Sequence, residues 1–182
     1  MTFSNPAASA PATAAAYVRA LLQLLGDRDP LQVMDEQLPW LEERLAGHDH
    51  VTLRRPEAPG KWSVAEVVQH LADTELVVGF RGRMILAEDR PLLQGFDQDR
   101  WARVFRYTEV RPEEALAQLR ALRAANLRLW RSLTPEQLRR IGRHTERGDE
   151  SLDRMLRLGA AHDLVHRRQI DRVLAAVGAG QG

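Results

Sequence analysis

Residues 160–176 read "AAHDLVHRRQIDRVLAA", and their spacing decides how the chain folds. Set at about 100° per residue, as for an α-helix, the segment from about Leu152 to Val177 has one apolar face. That face is made of Met155, Gly159, Ile170, Val173 and Val177, and Gly178 closes the helix. A helix of this kind buries its apolar stripe against other elements. His162 and His166 fall in the middle of the stripe, one turn apart, with Gln169 at its edge. Two readings are open. Each imidazole is neutral and satisfied by a core hydrogen bond, or the two share one metal ion, because side chains at i and i+4 stack on adjacent turns. Burial of two unpartnered imidazoles is costly, and a shared ion removes that cost.

Three segments upstream carry the same period. Asp29-Pro30 reads as an N-cap followed by proline at the first helical position. Leu31, Met34, Leu38, Leu41 and Leu45 then form a stripe that Gly47 ends, with a kink or break expected at Pro39. Ser63 and Glu66 form a capping-box pattern, with Trp62 placed as a hydrophobic staple. The helix they open carries Val64, Val67, Val68, Leu71 and Val78 and runs to about Asp89, ahead of Pro91. A third opens near Pro112, with Glu113 and Glu114 in the first turn, where acidic groups suit the helix dipole. Its face is set by Leu119, Leu122, Leu129 and Leu133. Shorter helices are expected over Ala14–Leu25 and around Asp97–Arg106. Residues 48–61 and "HTERGDES", residues 144–151, read as loops. With no alternating strand pattern, the fold class is all-α: a four-helix bundle with one long crossover connection. Residues 13–182 read as a single domain, and the Ala/Pro/Ser-rich residues 1–12 as a flexible tail.

Composition narrows the chemistry. The net charge is +1 with both signs interspersed, so no basic stripe is present to track phosphates. There is no cysteine, which excludes disulfides, thiolate metal sites and a cysteine nucleophile. A metal site must then use His, Asp or Glu, as catalytic sites do, and a thiol in the chemistry has to come from a substrate. No apolar run approaches the length of a membrane span, and the N-terminal residues lack the basic-then-apolar pattern of a secretory signal. The expectation is a cytoplasmic protein with a small-molecule partner, and neither nucleic acid nor membrane. Gly-rich phosphate loops, G-x-S-x-G and H-E-x-x-H are absent. A di-iron bundle needs E-x-x-H on two helices, whereas Glu66 stands four residues before His70.

Polar residues on the other core faces are the remaining site candidates. His70 lies on the flank of its stripe. Alone it reads as a boundary residue; with His162 and His166 it completes a three-histidine set with an open position. Glu75 falls within the stripe, and a buried carboxylate needs a partner. It orients a histidine, acts as a base or pairs with an arginine, the last being preferred. Asn126 interrupts the third helix's face and either binds substrate or, the preferred reading, satisfies a neighbouring helix. Glu75 and Asn126 are thus the catalytic candidates. Asp73 reads as solvated surface, and His48, His50 and His144 as loop residues outside any site.

"PGKWSVAEVVQHLADTE", residues 59–75, and "ERGDESLDRMLRLGAAHDLVHRRQI", residues 146–170, together resemble the DinB/YfiT-like superfamily. The specific parts are W-S-x-x-E-x-x-x-H-L-x-D-x-E and H-x-x-x-H-R-x-Q-I, and the resemblance covers roughly residues 30–177. It implies a four-helix bundle, commonly a homodimer, with one divalent metal on His70, His162 and His166. Zinc or nickel is expected first, with iron or manganese as further options. Members of this kind include transferases of low-molecular-weight thiols such as bacillithiol or mycothiol, so a thiol cosubstrate is implied as well. The resulting expectation is a metal-dependent thiol S-transferase acting on a small electrophile. The alternatives are a metal-dependent hydrolase and a non-catalytic metal-binding or stress-related protein.

Overall fold

A computed structural model describes residues 11–179. Most of the proposed tail, residues 1–10, lies outside the described residues; a helix begins at Pro11, within that tail. In chain order the elements are α1 (Pro11–Leu25), α2 (Pro30–Leu45), α3 (His50–Leu53), α4 (Val64–Ala87), β1 (Leu92–Leu93) and α5 (Gln98–Val104). A 3₁₀ turn (Tyr107–Glu109) leads into α6 (Pro112–Arg131), α7 (Pro135–Leu138), β2 (Ile141–His144), β3 (Gly148–Ser151) and α8 (Leu152–Ala179). Among the described residues no helix is long and apolar enough to cross a membrane.

The helix starts follow the sequence signals. The Asp29 carboxylate accepts from the Leu31 amide at 2.9 Å, with Pro30 in the first turn. The Ser63 hydroxyl accepts from the Glu66 amide, and the Glu66 carboxylate accepts from the Ser63 amide, which completes the box. α2 runs through Pro39 without a break.

α2, α6, α4 and α8 pack in that cyclic order, so α2 and α4 lie on one diagonal and α6 and α8 on the other. The consecutive pairs α2/α4 and α6/α8 are therefore joined across the bundle, and only α4 and α6 are neighbours in both chain and space. α1 packs on the outside against α8. α8 is thus enclosed by three helices, and its burial extends beyond one stripe to Leu156, Leu158, Leu164 and Val165.

A small three-stranded sheet caps one end, with β1 parallel to β2 and β2 antiparallel to β3. Part of the expected loop 144–151 is thus a hairpin arm. Its strands are too short and polar to show an alternating pattern, and contact with Leu93 and Ile85 holds them in place: a Cβ on Gly142 would overlap the Leu93 side chain.

The core is divided. One apolar cluster holds Met34, Ile85, Leu127, Trp130 and Met155; the other holds Leu41, Val68, Leu119, Ile170 and Val173. Along each helix the break between clusters is polar: Gln37 in α2, His70 to Glu75 in α4, Arg123 and Asn126 in α6, His162 to His166 in α8. The bundle therefore carries a buried polar layer at mid-height. In α6 the inward face is centred on Leu119, Arg123, Asn126 and Trp130, and Leu122 and Leu129 lie at its edge.

Candidate metal centre

α4 and α8 bring the three histidines together in that layer. His70 Nε2 lies 3.1 Å from His162 Nε2, and His162 Nε2 lies 3.0 Å from His166 Nε2. The three ring nitrogens form one cluster, and among the described residues no carboxylate joins it. His70 and His166 are buried and His162 is half-buried.

The chemistry of this cluster fits a divalent cation. Burial holds all three imidazoles neutral at pH 7. His70 is pushed well below its ordinary value by burial and by its two neighbours. Burial, with help from Arg123, takes His162 to about 4, and burial, with help from His162, takes His166 to about 3. The His166 Nδ1–H donates to Gln169 Oε1 at 2.8 Å, which leaves its Nε2 lone pair facing the cluster. One Nε2 proton can serve only one of the two close nitrogen contacts well, and the other then brings two lone pairs together. A cation in their midst resolves that conflict, because neutral imidazole nitrogen is the common histidine ligand. His70 Nδ1 is buried with no hydrogen-bond partner among the described residues; the Trp62 ring packs on His70 with centroids 5.0 Å apart.

Behind the triad sits a buried ion cluster that the sequence reading only half anticipated. Arg123 Nε donates to Glu75 Oε2 at 2.9 Å, and its Nη1 and Nη2 donate to the Asp163 carboxylate at 2.7 and 3.1 Å. Nη1 also reaches Met34 O at 2.8 Å. Asn126 Nδ2 donates to Glu75 Oε1 at 2.8 Å and to Glu75 O at 3.0 Å, while its Oδ1 accepts from Arg83. Glu75 and Asn126 are thus engaged with each other and with arginines. Two carboxylates against one guanidinium leave this cluster with one negative charge in excess, which favours a cation nearby.

A cavity of about 150 Å³ opens beside the triad, with His70, Thr74 and His162 in its lining. Val18, Leu21, Val78 and Met155 give it apolar walls, and Arg81 lies in its lining too. Neither Glu75 nor Asn126 lines it. Asp73 is buried, not solvated as its position suggested: it accepts from the Tyr107 hydroxyl at 2.5 Å and from Gln69 at 3.1 Å. His144 is buried on β2, where its Nδ1 accepts from the Glu146 amide, while His48 and His50 are exposed, away from the triad.

The DinB superfamily profile matches residues 34–170, a span that includes all three histidines. The chain belongs to the DinB superfamily. Within the superfamily it is similar to the Oceanobacillus iheyensis protein OB0782, provisionally named a metal-dependent hydrolase, with 29% identity over 107 residues. That alignment covers 59% of this chain and 62% of OB0782. Bacillus subtilis YfiT, with the same provisional name, is 29% identical over 110 residues, covering 60% of this chain and 62% of YfiT. The chain therefore matches about three-fifths of the length of these relatives. Compared as structures, YfiT superposes with a TM-score of 0.73 at 27% identity, over 79% of this chain and 82% of YfiT, and is described as having an unusual four-helix bundle topology. A mycothiol-dependent maleylpyruvate isomerase shares the fold at a TM-score of 0.63 and 11% identity, over 78% of this chain and 59% of the isomerase.

Proposed function

We propose that His70, His162 and His166 hold one divalent metal ion, zinc or nickel first, and that the protein is a metal-dependent enzyme. Its substrate would be a small molecule in the adjoining cavity. The observation that carries this reading is the convergence of three neutral imidazoles, two of which line a cavity with apolar walls. The provisional names of OB0782 and YfiT support metal dependence.

When bound, such an ion supplies a Lewis-acidic position at which a thiol or a water loses its proton. The chain's own residues do the rest. Gln169 holds the His166 ring in one tautomer. Trp62 packs on the His70 face and excludes water there. Val18, Leu21 and Val78 present an apolar surface to the body of a substrate.

We further propose that the nucleophile is a low-molecular-weight thiol, which attacks a small electrophile so that a carbon–sulfur bond forms and the thiol proton leaves with the displaced group. Two features support this. The chain has no cysteine of its own, and Glu75, the carboxylate best placed in sequence to act as a base on water, is bound to Arg123 and Asn126. A divalent ion held by the three histidines would lower the pKa of a thiol, so this reading requires no such base. Hydrolysis is the second reading, favoured by the names of the relatives. The test incubates metal-loaded protein with several thiols and 1-chloro-2,4-dinitrobenzene, and separately with p-nitrophenyl esters. A thioether adduct that depends on protein, metal and thiol is expected. Ester cleavage without thiol and no adduct would replace the transferase reading with the hydrolase one.

A further inference from the structure

We propose that Arg81 is an anion subsite of the cavity and that the molecule bound there is a small organic acid, an apolar body ending in a carboxylate. This names the substrate class of the site proposed above, and rests on that reading only for the claim that the bound acid is transformed.

Arg81 is 7% exposed and lines the same cavity as His70 and His162. Its Nη2 donates to the Gln94 carbonyl, and its guanidinium lies over the Phe96 ring, 5.9 Å from the centroid. Among the described residues no carboxylate lies within ion-pair distance of it. The contrast with Arg123 is plain, since that more deeply buried arginine has two carboxylates. Nearby Arg147 is already matched, with Nε and Nη2 on the Glu150 carboxylate at 3.0 and 2.7 Å. Arg81 is therefore a buried cation with no carboxylate in direct contact, since Glu150 and Glu146 act on it only from a distance, and burial of a charge without a contact partner costs free energy. Burial, with help from Arg147, lowers its pKa to about 10, which leaves it charged at neutral pH. A guanidinium offers five N–H donors, and the Gln94 carbonyl engages one nitrogen.

The spacing along α4 sets the shape of the ligand. Eleven residues separate His70 from Arg81, which returns to within about 20° of the same helix face and advances roughly 16 Å along the axis. Between the two ends stand Thr74, Val78 and the apolar side chains of α1 and α8. A molecule spanning this cavity meets nitrogen ligands at one end, hydrocarbon in the middle and, at the other, Arg81 beside Arg147 and Glu146, of which Arg147 is held by Glu150. The charge count selects a carboxylate over a phosphate. The guanidinium pairs with a carboxylate in a two-pronged fit, and the Glu146 carboxylate at the cavity rim repels a phosphate dianion more strongly than a carboxylate monoanion.

The test is calorimetric titration of hexanoate, hexanamide and hexyl phosphate into the full chain, both zinc-loaded and stripped by chelation. The stripped arm removes direct coordination of the acid to zinc. Hexanoate should bind at least about tenfold more tightly than hexanamide in both states, as a charge-assisted contact requires. That preference should vanish in Arg81→Gln and shrink in Arg81→Lys, with zinc stoichiometry by elemental analysis unchanged. Equal binding of hexanoate and hexanamide by the wild-type protein overturns the proposal without reliance on any variant, as does hexanoate binding unchanged in Arg81→Gln. Tighter binding of hexyl phosphate overturns the carboxylate assignment. Failure to take up zinc would count against the metal centre, and the stripped-protein titrations would still decide the role of Arg81.

Discussion

Replacing Arg123 with methionine should be among the most damaging single changes in the polar layer. The guanidinium is 2% exposed and makes four hydrogen bonds, three to the carboxylates of Glu75 and Asp163 and one to the Met34 carbonyl. Methionine keeps much of the volume and supplies no donor, so two carboxylates 5% and 1% exposed would remain without their cation. Removing one partner of a buried pair costs about 3–5 kcal/mol. For a chain of this length each kcal/mol shifts Tm by about 2–4 °C, so the expected fall is on the order of 6–20 °C. The deficit should also depend on pH. Burial already raises the pKa of Glu75, and Arg123 opposes that rise. Without Arg123 the folded state binds the proton more readily than the unfolded state does, so stability increases as pH falls. Thermal and urea denaturation of wild type and Arg123→Met at pH 7 and pH 5 measures both effects. A loss below about 1 kcal/mol at pH 7, or a deficit that grows toward pH 5, would refute the reasoning.

Three further outcomes follow from single contacts. Burial takes His144 to about 4 against an ordinary value of 6.5, so its contribution to stability is present above pH 6.5 and is lost as pH falls toward 4; His144→Asn should flatten that acid limb in urea titrations between pH 4 and 7. A methyl on Gly82 would overlap the Trp130 ring where α4 meets α6, so Gly82→Ala should destabilise by about 1–3 kcal/mol although alanine is the better helix former, and denaturant midpoints read the sign. Gln169→Leu removes the acceptor that fixes the His166 tautomer; competition titration with a chromophoric chelator should show metal affinity reduced about 10–100-fold, with the fold intact by circular dichroism.

Much of the bundle is legible in the sequence because its signals are local. Asp29, Ser63 and Pro112 announce helix starts within one turn, and the period of α8 places His162 and His166 inward without knowledge of any partner helix. What stays hidden depends on contacts distant in sequence. Asp73 looks solvated on α4 alone, and is buried because Tyr107 and Gln118 close over it. Arg123 is one arginine among many, and only the approach of α4 and α8 to α6 makes it the cation of the layer. The hairpin of β2 and β3 has no alternation to betray it, since it rests on Leu93 and Ile85. Arg81 was within reach of sequence reasoning: its eleven-residue offset from His70 puts both on one face, but a lone arginine on a helix reads as surface until a cavity is seen beside it.

The central claim is that His70, His162 and His166 hold a single ion. Elemental analysis of protein purified without an affinity tag, on wild type and on His70→Ala and His166→Ala, tests it most directly. About one divalent metal per wild-type chain, absent from both folded variants, is the expected result. Wild-type protein that folds normally without metal and takes up none when titrated with zinc or nickel would contradict it.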